Sequence, residues 1–594
     1  MPVAPQDHRP KLILPLAALI AVLPLIRHGY SCGHDFDFHI LNWFEAAHQF
    51  LHGNLHPTWA YTPAYNAGEP RFTFYPPVSW TIGALLGLIL PWTWTPIAYT
   101  WLALTAAGAS LYHLAKTYTT PNAALIAATF YIVNPYMLFT AYERTAYAEL
   151  LAAAWIPLLL KAILSETITI PSIAIPIALL WLTNAPAAVL ASYTLALLTL
   201  IRLAIPTTNP GAPSSRSLIA LRWASRTGAN APAHLQTPTN TSPQTSVQIA
   251  LITTLGTLLG LALAAIYILP AAYERRYVHI DMAIIPSLHP QDNFLFHHTG
   301  TTPDQILHDQ VLHAASIIAI LLITLTAIAL TIAYRNTAIR RRTLLPLTIL
   351  TATITLLLTS ISAPLWNHLP ELRFLQFPWR FLAILAPALS LAIAIALSHI
   401  NLKPIQTTLA AVALAALLTA PAYTLLQQPC DAEDTIPARL ALFQTQGSEP
   451  TDEYTPITAD NDSLIPNNPP YWLSPEDPNA PAPKDARPGP VPAHFSFKAT
   501  QPGFLILNLR DYPSWDVTST DPNNMHLNHP EHIRRDDGLI ALPLYYASDY
   551  TITITGTHLP DQTIAILISA VALALLLLAV ARKPRSPSAD IIKT

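Results

Sequence analysis

The feature that most constrains this chain is a succession of apolar blocks, each about the length a bilayer demands, separated by loops that carry Pro, His and most of the charges. A spanning helix needs roughly 17 to 25 mostly apolar residues, because only a helix closes its own backbone hydrogen bonds inside hydrocarbon. Over 594 residues the charged fraction is 11% and the hydrophobic fraction 52%. A soluble protein is about 25% charged. The sequence therefore predicts an α-helical polytopic membrane protein whose first partner is the lipid bilayer. A formal net charge of −3 with no basic domain gives no footing for nucleic acid.

Twelve spans are predicted, at 12–26, 96–115, 122–139, 148–164, 168–183, 187–204, 248–269, 313–334, 343–361, 379–398, 405–426 and 562–581. The first follows Arg9 and Lys11 like a signal-peptide core. The following "RHGYSCGHDFD" offers no small-residue cleavage site, so it reads as a retained helix. The stretch 78–90, "VSWTIGALLGLIL", is short, and counting it as a span breaks the charge rule downstream. It reads as an interfacial or re-entrant helix with Trp80, Trp92 and Trp94 as headgroup anchors. Lys116, Lys161, Arg202, Arg216, Arg335, Arg340, Lys403 and Arg582 then all fall on the cytoplasmic side, where Lys and Arg are retained during insertion. Both termini are cytoplasmic in this reading.

Residues 1–426 form the predicted transmembrane domain, with 27–95 as its first outer loop. The segment 205–247, rich in Ser, Thr, Pro and Asn, is predicted to be a disordered cytoplasmic loop. Residues 427–561 form an extracytoplasmic domain, irregular to about 490 and β-rich from His494. There "HFSFKAT", "FLILNLRDY", "GLIALPLYY" and "YTITITG" are separated by turn residues, as in a small β-sandwich. Residues 562–594 carry the last helix and a cytoplasmic tail.

This topology gathers unusual polar residues on the outer face. "GHDFDFHI" (33–40) carries Asp35 and Asp37, and "GEPRFTFYPP" (68–77) carries Glu69 and Arg71. "TAYERTAYAE" supplies Tyr142, Glu143, Arg144 and Glu149, and "TNAP" supplies Asn184. "LRFLQFPWRF" supplies Arg373, Gln376 and Arg380. Each has a plain alternative: a wet loop residue, an interfacial ion pair or a snorkelling side chain. Taken together they suit an outward cavity at the lipid boundary. Arg forks bind phosphate oxygens, and a carboxylate takes a proton from a hydroxyl or holds a divalent cation. An apolar groove between helices would take a polyprenyl tail.

Cys32 and Cys430 are the two cysteines, each a few residues beyond a predicted outer helix end. They are either a disulfide in an oxidising compartment or two unrelated thiols. His48, His52 and His56 have helical spacing that can bind a metal, or simply form one polar face of an interfacial helix. No Walker loop, dinucleotide fingerprint or serine elbow is present.

"GHDFDFHI", "GEPRFTFYPP", "NPYMLFTAYERTAYAEL" and "LRFLQFPWRFL" resemble the bacterial membrane-protein family labelled 6-pyruvoyl-tetrahydropterin synthase-related, and more broadly the GT-C class of integral-membrane glycosyltransferases. The resemblance covers roughly residues 10–400 and the outer β-rich tail, where "LRDYPSWDV" looks like the family's "YPGW"-type strand. It implies a GT-C-like fold in the inner membrane and transfer of a sugar from a polyprenyl-phosphate donor on the outer face. It implies that Asp35 or Asp37 is the catalytic acidic residue, as general base or metal ligand, with Asp35 favoured because it follows the Gly-His turn directly. It makes Glu69 and Arg71 candidates for the same site, matches Arg144 and Glu149 to the family's charged outer turn, and offers Arg373 and Arg380 for the donor phosphate. Relatives often carry His before the Asn of the "TNAP" turn, where this chain has Thr183. Two rivals stand beside the enzyme: a transporter or flippase of lipid-linked sugars, and a non-catalytic fold relative whose β-rich domain binds glycan or protein.

Overall fold

The structure, a computed structural model, describes residues 7–204, 244–285, 287–336, 341–520, 526–528 and 532–581. Among the described residues nine helices are long and apolar enough to cross a membrane. They are Arg9–His28, Pro121–Tyr142, Tyr147–Leu164, Ala185–Ala204, Ser246–Leu263, Pro303–Arg335, Pro378–Leu397, Pro404–Leu426 and Pro560–Ala581. The chain is a mostly helical, multi-pass membrane protein.

The other three predicted spans take different forms. Thr95–Ala115 is a single helix of 21 residues whose Thr, Tyr, Ser and His dilute its apolar character. The stretch at 168–183 is the 14-residue helix Ile170–Thr183, opened by a reciprocal cap between Thr169 and Ser172. The stretch at 343–361 breaks: Thr343–Leu357 turns through 89° into Ser360–His368. Thr359 is extended there, and Pro364 opens the following helix without an N–H to continue the earlier one. The loop expected to be disordered, 205–247, lies outside the described residues as far as 243, as does the tail beyond 581. Thr245 already caps the helix from Ser246, accepting from the Gln248 N–H at 3.2 Å.

Helix Pro121–Val133 sits at the centre, packed against Arg9–His28, Thr95–Ala115, Leu382–Leu397 and Pro404–Leu426. Small residues let backbones approach where lipid gives no hydrophobic push. The pair Ile170–Thr183 and Ser246–Leu263 shows this: an added Cβ at Gly260 would meet the Ala174 carbonyl oxygen at 2.8 Å. The segment 78–90 forms helix Pro77–Ile89, laid against helix Phe36–Leu51. Trp80, expected at the headgroups with Trp92 and Trp94, is instead core: it is 2% exposed and packs 4.8 Å from the Phe72 ring. Its indole N–H is satisfied by the Tyr75 carbonyl, so nothing draws it to the interface.

The region from Tyr471 to Gly556 carries two sheets. Strands β1 (Tyr471–Ser474), β3 (Gly503–Arg510) and β6 (Leu539–Leu544) form one, in the order β1-β3-β6. Strands β2 (His494–Ala499), β4 (Trp515–Thr520), β5 (His526–Asn528) and β7 (Ser548–Gly556) form the other, in the order β2-β7-β4-β5. Every assigned pair is antiparallel. Alternation along β3 explains how the domain sits. Leu505, Leu507 and Leu509, with Ile540 and Leu542 of β6, pack in one core cluster with Val517 and Ile552 of the second sheet. Ile506 faces the other way, onto Ala64 and Ala67 of the first outer loop. Before His494 the segment is not wholly irregular. It holds β1 and the helix Ile436–Gln444, whose cap Thr435 accepts from the Ala438 N–H. Cys32 and Cys430 are joined by a disulfide that ties this segment to the loop after the first helix.

Candidate functional site

The local fold around "GHD" starts from Gly33. A Cβ there would lie 2.1 Å from the Glu143 carbonyl oxygen, so only glycine permits the approach. The approach lets the Asp35 N–H donate to the Arg144 carbonyl at 2.9 Å. Asp35 then stands at the start of helix Phe36–Leu51 but does not cap it with its side chain. Its carboxylate is free for partners outside the helix.

Those partners form a chain. His34 Nδ1 lies 2.8 Å from Asp35 Oδ1, and Arg144 Nη2 lies 3.3 Å from Asp35 Oδ2. Arg144 Nη1 donates to Glu149 Oε2 at 2.7 Å, and the Tyr136 hydroxyl donates to Glu149 Oε1 at 2.5 Å. Arg380 Nε completes it, 3.8 Å from Glu149 Oε2. Arg144 also lies over the Trp379 ring, 4.8 Å from its centroid. Its side chain is 6% exposed and that of Glu149 5%, whereas Asp35 is 28% exposed. A buried guanidinium is tolerated because carboxylates lie on both sides of it. The turn that delivers it is tight, with Thr145 in the left-handed region at φ 49°.

Burial alone would push the Asp35 carboxyl up, but the hydrogen bond from His34 and the charge of Arg144 outweigh it and hold Asp35 well below the usual range. One turn along the same helix face, His39 is packed among the rings of Phe38, Trp43, Tyr75 and Tyr147. Burial pushes its imidazole down to about 4. Asp37 has a different set of partners. It contacts Arg439, which also bonds Asp434 at 2.5 Å, and burial raises its carboxyl against the pull of Arg439.

A cavity of about 470 Å³ opens beside this chain. Asp35, Asp37, Glu143 and Arg144 line one side. Two turns of the 303–336 helix line it as well, with Asp304 and His308 polar and Leu307, Val311 and Leu312 apolar. Trp379, Phe377, Gln428 and Asp434 also line the cavity. Gln428 donates to Glu143 at 2.6 Å. Leu307 is also 63% exposed, so the apolar wall continues to the outer surface of the helix bundle.

The remaining residues singled out in the sequence lie elsewhere. Glu69 and Arg71 pair at 2.6 Å, and both bind Thr451: Glu69 accepts from its backbone N–H and Arg71 donates to its hydroxyl. The Tyr142 hydroxyl donates to the Ala21 carbonyl in the first helix. Asn184 starts the helix Ala185–Ala204, accepting from the Ala187 N–H at 2.8 Å. Arg373 is exposed, 3.8 Å from Asp281. Gln376 donates to the Ala283 carbonyl and lies 3.5 Å from Arg380 Nη1. Sequence reasoning did not reach Tyr136, Arg439 or the cavity-facing turn of the 303–336 helix. The spacing of Asp304, Leu307, His308 and Val311 is the one signal it offered for that face.

A divalent cation would need carboxylate oxygens to spare. Asp35 has none: one oxygen meets His34 and the other Arg144. Asp37 gives one oxygen to Arg439 and keeps Oδ1 buried without a partner, while among the described residues no three His, Cys, Asp or Glu side chains converge as a ligand set. Chemically the site offers a carboxylate–guanidinium–carboxylate chain ending on a solvent-facing imidazole.

No family model matches the chain, and no curated protein matches it. Among solved structures, a cryo-EM structure of the arabinofuranosyltransferase AftD from Mycobacteria is similar at 17% identity and a TM-score of 0.42, over 72% of this chain and 29% of that one. The chain thus spans less than a third of that transferase's length.

Proposed function

We propose that this protein is a membrane glycosyltransferase of GT-C-like architecture that moves a sugar from a polyprenyl-phosphate donor to an acceptor hydroxyl on the extracytoplasmic face. The observation that carries the reading is one cavity lined both by Asp35 and Arg144 and by the apolar Leu307, Val311 and Leu312. Such a cavity suits a ligand that is charged at one end and greasy at the other. Arg144, with Arg380 behind Glu149, supplies positive charge for a departing phosphate. Asp35 lies where it would act on the attacking hydroxyl, directly or through a neighbour.

Twelve crossings are part of this reading, with the three irregular helices completing the bundle and both termini cytoplasmic. The disulfide-tied outer domain then faces an oxidising compartment, and Lys116, Lys161, Arg202 and Lys403 lie at the opposite membrane face. The protein would sit in the inner membrane.

The test is an assay of the purified full-length protein with a labelled polyprenyl-phosphate sugar and a panel of glycan acceptors. Product that disappears in the Asp35→Asn, Asp37→Asn double variant supports the enzyme. Movement of the labelled lipid between leaflets without product favours a transporter.

A further inference from the structure

Asp35 is poorly built to take a proton itself. Both of its oxygens are engaged, one by a buried guanidinium. A carboxylate held that way is a weak base, and general-base efficiency falls with basicity. The neighbour on its other oxygen is better placed. His34 lines the cavity and its side chain is 79% exposed. Its Nδ1 is committed to Asp35, which leaves Nε2 as the ring nitrogen for a substrate hydroxyl. Glu149, Arg144, Asp35 and His34 thus form a run of charge-assisted contacts that ends on an imidazole. A buried carboxylate behind a histidine fixes its tautomer and supports its protonated form, the logic by which hydrolytic triads work on unrelated folds.

Resting on the transferase reading of this site, we infer that His34, oriented by Asp35, accepts the proton of the attacking hydroxyl. The step balances. The acceptor oxygen bonds to the anomeric carbon as the bond from that carbon to the lipid phosphate oxygen breaks. The electron pair leaves on the phosphate, the hydroxyl proton moves to His34 Nε2, and it passes from there to water. Asp35 stays ionised throughout and keeps its hydrogen bond from Nδ1. Arg144 is a positioning residue for the dyad as well as a charge facing the phosphate.

The charges around His34 are accounted for from each wall. Asp35 favours the imidazolium through its hydrogen bond and charge, and outweighs the opposing guanidiniums of Arg144 and Arg380. Asp37 on the same helix, Glu143 on the turn that carries Arg144, Asp434 on the disulfide-tied segment and Asp304 on the long helix are the other acidic groups lining the cavity, and His308 adds a second imidazole. The balance raises His34 from the ordinary histidine value.

The experiment has two arms on the full-length protein. In the transfer assay, His34→Gln is expected to lower kcat by about 10²- to 10⁴-fold, the usual worth of a general base, with donor KM little changed. Asp35→Asn is expected to move the acid limb of the wild-type pH–rate profile downward. A His34→Gln enzyme with wild-type kcat overturns the inference while leaving the transferase reading intact. The second arm needs no turnover. Exchange of the His34 C2 hydrogen, followed by mass spectrometry across pH, is expected to show a midpoint above about 6.5 in the wild type and a return toward it in Asp35→Asn. Equal midpoints in the two proteins overturn the dyad. A wild type that makes no product overturns the transferase reading, and with it the role in transfer.

Discussion

Arg144 and Asp35 lie 109 residues apart in sequence and meet at 3.3 Å on the wall of the cavity. Arg144 is also held by Glu149 at 2.7 Å, so one buried guanidinium links two carboxylates. Removing it leaves Glu149 buried with less compensation. Breaking a buried pair by deleting one partner costs about 3 to 5 kcal/mol. Arg144→Ala should therefore lower the melting temperature in detergent. Arg144→Lys should restore part of the stability but little transfer, because an ammonium cannot hold both carboxylates in one plane. Thermal melts and transfer rates on the two variants check this.

Tyr136 and Glu149 form the far end of the same network. Residues in one hydrogen-bond network couple by about 0.5 to 3 kcal/mol. A double-mutant cycle of Tyr136→Phe and Glu149→Gln should return a coupling in that range. Strict additivity of the two melting shifts would show that the network does not act as a unit.

Gly33→Ala should be far more damaging than a glycine-to-alanine change on a loop usually is. The added methyl would sit 2.1 Å from the Glu143 carbonyl oxygen, and backbone on both sides would have to move. The hydrogen bond from the Asp35 N–H to the Arg144 carbonyl should break with it. The expected result is a folded protein of lowered melting temperature with transfer reduced at least about 10²-fold, since small misplacements of reacting groups cost that much.

His39 gives a pH dependence with a fixed sign. Its folded value is about 4 against about 6.5 when unfolded, so between those values the unfolded chain binds the extra proton. Its contribution to stability is complete above pH 6.5 and is lost as pH falls toward 4. The melting temperature should drop across that window, and His39→Phe should blunt the drop. His34 works in the opposite sense, since its raised value favours the folded state below its unfolded value. Its exposure makes that contribution small.

The Cys32–Cys430 disulfide closes a loop across 398 residues and holds the segment bearing Gln428, Asp434 and Arg439 against the first outer loop. Native disulfides contribute about 2 to 4 kcal/mol. Reduction, or Cys32→Ser, should lower the melting temperature and raise the protease sensitivity of residues 427–444. Unchanged digestion would show that the hydrogen bonds alone secure that segment.

Much of the architecture is legible in the sequence because a bilayer forces long apolar runs, and nine of the predicted spans are helices of sufficient length and hydropathy among the described residues. Where span and helix part company, as at Thr359 and Pro364, a local break interrupts a run that hydropathy reads as continuous. Asp35 and Arg144 stand out because a charge beside lipid is costly. Glu69 and Arg71 stand out for the same reason, yet they bind Thr451 and dock the outer domain. Composition does not separate a charge that faces a cavity from one that fastens two domains. Tyr136 is one aromatic in an apolar helix, and Arg439 sits in a Pro- and Asp-rich stretch with no periodicity. Both acquire meaning only when the chain brings Glu149 and Asp37 to them.

The most direct test of the central claim is the rate of sugar transfer from a labelled polyprenyl phosphate by purified wild type and Asp35→Asn, with the two proteins shown to melt alike. The account predicts product from the wild type and a loss of at least about 10²-fold in the variant. Transfer at the wild-type rate by Asp35→Asn would contradict it.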